Sequence, residues 1–91
     1  IDYNSIILPV NQLVKYSEWY KQKQELKDFG VNLARARMKA DLSAYELSLR
    51  IDKDPSYIHK VENGKINISL KSILQICEVL QIQPAELFKP L

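Results

Sequence analysis

The chain has 91 residues and a mass of 10.6 kDa, with 46% hydrophobic residues, 26% charged residues and a formal net charge of +2. That length admits one domain, and a composition near the globular average excludes disordered, collagen-like and purely coiled-coil chains. No apolar run approaches the ~20 residues of a membrane span, and with one cysteine and one histidine the sequence has neither an internal disulfide nor a Cys/His metal cluster.

Only residues 3–10 have extended character, with Ile6, Ile7 and Val10 around Pro9. The stretch is too short for the apolar region of a signal peptide and reads as an arm. Asn11 is the expected N-cap of a helix that opens with Gln12. Residues 12–28 are polar and charged, with Tyr16, Trp19 and Tyr20 clustered near their start. Phe29, Leu33, Ala36 and Ala40 then recur at helical spacing, and Trp19, Leu26 and Leu33 keep one face at a seven-residue period. One long helix over 12–40 is expected, with Gly30 costing it about 1 kcal/mol. Ser43, followed three residues later by Glu46, has capping-box spacing and opens a helix over 44–51 with Leu47 and Ile51 inward. Asp52-Lys53-Asp54 is a turn. Asp54 is the expected cap of a third helix, 55–62, with Pro55 in its first turn and Ile58 and Val61 inward. Gly64 ends it as a left-handed residue. Ser69 caps a fourth helix, 70–80, with an expected apolar stripe of Leu70, Ile73, Leu74, Cys77 and Leu80. Pro84 opens a last short helix, whose Leu87 and Phe88 are expected to close the core.

Two short helices joined by a tight turn form a helix-turn-helix pattern. The crossing needs a small side chain, supplied by Ser48, and the turn needs a residue that tolerates positive φ, supplied by Asp52. Leu47, Ile51, Ile58 and Val61 fix the crossing angle. The second helix then offers its N-terminal half outward, where it can enter a DNA major groove.

The run Ile58, Val61-Glu62-Asn63-Gly64-Lys65 is specific in this setting. It is joined by Phe29, Leu33, Arg37, Leu42-Ser43, Glu46-Leu47-Ser48, Ile51, Ser56, Ser69-Leu70, Ile73-Leu74, Leu80, Ile82 and Glu86-Leu87-Phe88. On these residues, positions 29–88 resemble the phage repressor/Cro-like helix-turn-helix family. The resemblance implies an all-α domain of five helices, here with an N-terminal helical extension. It implies a sequence-specific DNA-binding transcriptional regulator with helix 55–62 as recognition helix. It also implies a partly buried ion pair between Arg37 and Glu62, where losing one partner costs about 3–5 kcal/mol. By position, Ser43 and Ala44 would meet a phosphate. Asp54, Pro55, Ser56, Tyr57 and Lys60 would face the groove, and Asn63, Lys65 and Asn67 the opposing backbone. The chain departs from the family at Ala44, where glutamine is usual, and at Pro55 and Ser56, which replace longer polar readers. Residues 43–70 carry Arg50, Lys53, Lys60 and Lys65 against Glu46, Asp52, Asp54 and Glu62, a neutral sum where a groove reader concentrates positive charge.

Tyr57 and His59 are expected on the exposed part of the recognition helix, and Lys60 is the strongest candidate contact. Cys77 reads as a buried, inert thiol. Asp52-Lys53-Asp54 lacks the further ligands of a calcium loop, and Asn67-Ile68-Ser69 is a glycosylation acceptor only in an exported chain. Tyr16, Trp19 and Tyr20 are expected at a dimer interface, since three rings of about 150–250 Å² each are seldom left exposed. Ile6-Ile7-Leu8 would add an arm exchanged between copies. The expected organisation is an arm and helical extension over 1–28 and a helix-turn-helix domain over 29–91. Expected partners are double-stranded DNA and a second copy of the chain, with no membrane and no small-molecule substrate. No catalytic residues, metal or cofactor are expected, and a cytoplasmic location fits the lone cysteine. The alternative is a protein-interaction module that keeps the scaffold with weak or no DNA binding; the neutral 43–70 segment, Asp54, Pro55 and the aromatic extension speak for it.

Overall fold

The computed structural model describes the backbone from residue 10 to residue 91 and the side chains from residue 18 onward. The expected arm around Ile6-Ile7-Leu8 and the ring of Tyr16 lie outside the described residues. Among the described residues the fold is all-α: α1 (Val10–Lys39), α2 (Ala44–Arg50), α3 (Tyr57–Glu62), α4 (Leu70–Leu80) and a closing 3-10 helix (Pro84–Phe88). The expected fifth α-helix is thus a tighter 3-10 turn, opened by Pro84. No helix among them is long and apolar enough to cross a membrane.

The helix starts follow their capping residues, with two corrections. α1 begins at Val10, so Asn11 lies within the helix rather than capping it. α3 begins at Tyr57, not Pro55. The Asp54 carboxylate accepts from both the Ser56 N–H at 2.9 Å and the Ser56 hydroxyl at 2.6 Å. The carboxylate thus bonds the N–H two residues on, as a cap does, while the Tyr57 N–H reaches the Asp54 carbonyl at 2.9 Å and closes Pro55-Ser56 as a tighter turn ahead of the helix. At α2, Ser43 Oγ accepts from the Glu46 N–H at 3.0 Å, while its hydroxyl donates to the Glu46 carboxylate at 3.1 Å. At α4, Ser69 Oγ accepts from the Ser72 N–H at 3.2 Å.

All four α-helices end in one way. A left-handed residue follows each: Asp41 (φ 59), Asp52 (φ 58), Gly64 (φ 71) and Gln81 (φ 56). Beyond it, the N–H groups of Leu42, Lys53, Lys65 and Ile82 reach back to the carbonyls of Arg37, Ser48, Lys60 and Cys77. This is the Schellman closure, which satisfies carbonyls that a helix end otherwise leaves unpaired.

The core is built from Phe29 and Leu33 of α1, Leu42, Leu47 of α2, Ile51, Ile58 and Val61 of α3, Ile73, Ile76, Cys77 and Leu80 of α4, and Leu87. Burial raises the Cys77 thiol above its ordinary pKa and keeps it protonated. The expected stripe on α4 is corrected: Leu70 and Leu74 are exposed, and Ile76 is fully buried. Leu74 lies about 110° round the helix from the centre of the Ile73–Ile76–Cys77–Leu80 face, so it cannot share that face. Phe88 is also exposed; Leu87 takes the core position, and the Phe88 ring only leans on Phe29 at 5.2 Å between centroids. Buried Asn32 of α1 donates to the carbonyls of Leu87 at 3.2 Å and Lys89 at 2.8 Å, tying the C-terminal end to α1.

Candidate nucleic-acid interface

Helices α2 and α3 meet at Ser48, which is fully buried. Its hydroxyl donates to the Ala44 carbonyl at 2.8 Å and accepts from the Ile58 N–H at 3.0 Å. One small side chain therefore closes the crossing and satisfies the buried N–H of Ile58.

The far end of α3 is fixed against α1. Arg37 grips the Glu62 carboxylate with Nε at 2.7 Å and a second nitrogen at 3.0 Å, and donates its third arm to the Leu42 carbonyl at 2.9 Å. This bidentate fork is both strong and directional. The bond to Glu62 raises the Arg37 pKa further, against the opposing effect of burial. At Gly30 a Cβ would overlap the Glu62 carbonyl, so glycine is required where the two backbones touch. At Gly64 a Cβ would lie 2.8 Å from Lys27 Cγ.

Held at both ends, α3 buries Ile58 and Val61 and turns His59, Lys60 and Asn63 to solvent. Ahead of it Asp54 and Pro55 are exposed and Ser56 is half-buried. Tyr57 corrects an expectation: it is half-buried against the core, because it precedes Val61 by four residues and shares its face. Its outer side is covered by Lys53, whose ammonium lies 5.3 Å from the ring centroid. Ser43 is exposed and Ala44 half-buried at the front of α2. Asn63, Lys65 and Asn67 are exposed after α3, although the Asn63 amide already donates to the His59 carbonyl at 2.7 Å.

Sequence reading missed two residues here. Lys53 reads as a turn residue, and its stacking on Tyr57 has no signal in the sequence, because residues 53–56 are not helical and four-residue spacing joins side chains only within a helix. Tyr45, exposed in the first turn of α2, had as its only signal its place two residues after the cap. The charge balance also changes with the fold. Glu62 is neutralised by Arg37, from outside residues 43–70, so counting that pair leaves one net positive charge. Asp54 remains an anion: hydrogen bonds from the Ser56 hydroxyl and N–H hold its pKa below the ordinary carboxylate value.

On the extension, Trp19 and Tyr20 are more than half exposed, and the Lys23 ammonium lies 4.8 Å from the Trp19 ring centroid. The structure holds one copy of the chain, and of the three rings expected at a dimer contact, that of Tyr16 lies outside the described residues while those of Trp19 and Tyr20 are on the exposed extension.

The sequence matches a helix-turn-helix family model over residues 33–87. The control protein C.MunI of a Mycoplasma species is 41% identical over 61 residues, which is 66% of this chain and 82% of that protein. The crystal structure of the restriction-modification controller protein C.AhdI from Aeromonas hydrophila aligns with a TM-score of 0.69 at 38% identity, over 72% of this chain and 96% of its own. With the crossed pair, the outward α3 and these matches in hand, the chain belongs to the phage repressor/Cro-type helix-turn-helix family, and it is a sequence-specific DNA-binding transcriptional regulator.

Proposed function

We propose that the front of α3 enters the major groove and that the protein controls transcription of restriction-modification genes. The exposed, rigidly held α3 carries the first part; the names of the two relatives carry the second. Lys60 is the principal reader, since it is the exposed cation on α3 with freedom to reach a base edge or phosphate. Ser56 adds a short-range contact, and Asp54 and Pro55 shape the groove-facing turn without donating to bases. Ser43 and Ala44, with Lys65 and Asn67, meet the flanking phosphates, and the Asn63 N–H and side-chain amide, both donating to the His59 carbonyl, hold the start of that loop in place. Residues 29–91 form the DNA-binding unit, and those before it an extension. The protein works in the cytoplasm.

The reading includes a two-fold pair, since helix-turn-helix regulators bind paired half-sites as dimers. Leu70 and Leu74 lie one turn apart on α4 and leave apolar surface unburied, which supports α4 as the pairing face. The test is a titration of duplex DNA by fluorescence anisotropy at two salt concentrations, with wild type and Lys60→Ala. Binding that weakens with salt, and weakens about tenfold or more in the variant, is expected for a lost base or phosphate contact. Undetectable binding by wild type at low salt would overturn the reading. A variant that binds like wild type would remove Lys60 from it.

A further inference from the structure

Helix α1 carries a line of residues at seven-residue spacing, Lys23, Gly30 and Arg37, which therefore share one side. Arg37 on that line holds Glu62, Gly30 receives the Glu62 carbonyl, and Lys27 beside it lies against Gly64. Helix α3 thus ends opposite residues 27–30, and the α3–α4 loop starts there. The same side of α1 runs on past that end through Lys23, Tyr20 and Trp19. Trp19, Tyr20, Lys23, Gln24 and Lys27 line one shallow groove of about 290 Å³. Glu18 and Glu25 fall on the far side of the helix, while Asp28 borders the groove at Gln24, whose amide donates to it at 3.0 Å. Among the described residues neither Lys23 nor Lys27 has a carboxylate within ion-pair distance.

We propose that this lysine and aromatic side of α1, residues 19–27, lies along the DNA backbone as a second contact, continuous with the phosphates met by Lys65 and Asn67. The inference rests on α3 reading DNA. It carries the footprint about 12 Å beyond the loop, the rise of eight helical residues. Charge complementarity selects the occupant. Lys27 stands beside Gly64-Lys65, and among the described residues none of Lys23, Lys27 and Lys65 has a carboxylate within ion-pair distance, so a polyanion is the partner that neutralises them. Pairing two copies through this side would bring its lysines together, with Glu18 and Glu25 turned away and Asp28 already engaged by Gln24. Tyr20, exposed beside Lys23, adds a hydroxyl donor for a phosphate.

The test measures wild type, Lys23→Gln/Lys27→Gln, Lys65→Gln and Lys21→Gln against a random-sequence duplex of about three helical turns, across a range of salt. Each lost phosphate contact lowers the slope of log affinity against log salt by about 0.9. The double variant is expected to lower the slope by about 2 and to weaken binding equally on all sequences, while Lys21→Gln, on the opposite side of α1, leaves both unchanged. If the double variant keeps the wild-type slope while Lys65→Gln lowers it, the inference is overturned and the α3 reading stands. If Trp19→Ala/Tyr20→Ala shifts the monomer–dimer balance in sedimentation while the double lysine variant keeps wild-type affinity and slope, that side pairs copies and the inference is likewise overturned. Failure of wild type to bind any duplex would remove both readings.

Discussion

Ser48 shows how much one side chain decides. Its hydroxyl joins two helices, and Ser48→Ala would leave the buried Ile58 N–H without a partner. The expected loss is about 1–3 kcal/mol of stability in urea unfolding, out of proportion to one oxygen atom. Arg37→Met should cost about 3 kcal/mol or more, because it strands the Glu62 carboxylate, whose side chain is only 10% exposed. The double variant Arg37→Met/Glu62→Leu should cost less than Arg37→Met alone. Asp54 gives a pH dependence of known sign. Its pKa is lowered in the folded chain, so its contribution is present above the unfolded carboxylate pKa and is lost as pH falls through the folded value. Carbonyl NMR titration of Asp54 should therefore give a midpoint below that of an unstructured peptide, and the Ser56 N–H should lose exchange protection as the carboxylate is protonated. A midpoint at the peptide value would contradict the Ser56 bonds. Ser48 and Asp52 were legible in the sequence because each answers a steric demand of the turn. The burial of Tyr57 was not, since a tyrosine hydroxyl suits water and its ring suits the core equally well.

At the scale of the elements, capping chemistry was the most readable signal. Ser43, Ser69 and Gly64 stand where their residue types say they should. The start of α3 differs by two residues because the turn that follows Asp54 closes between the Tyr57 N–H and the Asp54 carbonyl, a tighter spacing than the α-helix that a capping residue alone implies. The α4 stripe was misjudged for a different reason: apolar residues at positions 70, 73, 74, 76, 77 and 80 surround most of the helix, and the sequence does not say which side meets α2 and the 3-10 helix. Three of the four Schellman ends use a non-glycine residue at positive φ, so glycine should improve them. Gln81→Gly is expected to stabilise the fold by about 0.5–1 kcal/mol in thermal melts, since its φ of 56° strains an L side chain. Gly30→Ala should do the reverse of what helix propensity suggests. The gain of about 1 kcal/mol within the helix is outweighed by the overlap with the Glu62 carbonyl, where an overpacked contact costs about 1–3 kcal/mol and forces α1 and α3 apart. A higher melting temperature for Gly30→Ala would contradict the close approach.

Across the whole molecule, the fold separates a scaffold from a reading surface. The scaffold is α1, α4 and the 3-10 helix, tied by Asn32 and the common core, and Arg37 of α1 joins it to α3 through Glu62. The proposed reading surface is the front of α2, the front of α3 and the loop that follows, all mounted on Ser48 and Gly30. The family was legible from the Ile58 to Lys65 run, because close backbone approach, a left-handed closure and a buried ion pair each restrict the residues allowed there. The extension was less legible. Its lysines and aromatics suit a solvated helix, a partner helix or a phosphate row, and only the contacts of Gly30 and Gly64 align them with the end of α3. The most direct measurement is the change in backbone amide NMR shifts of the full chain on adding duplex DNA. Shifts concentrated at residues 43–45, 54–60 and 63–67 are expected if α3 faces the groove. Shifts confined to α4 and the 3-10 helix, with α3 unmoved, would contradict it.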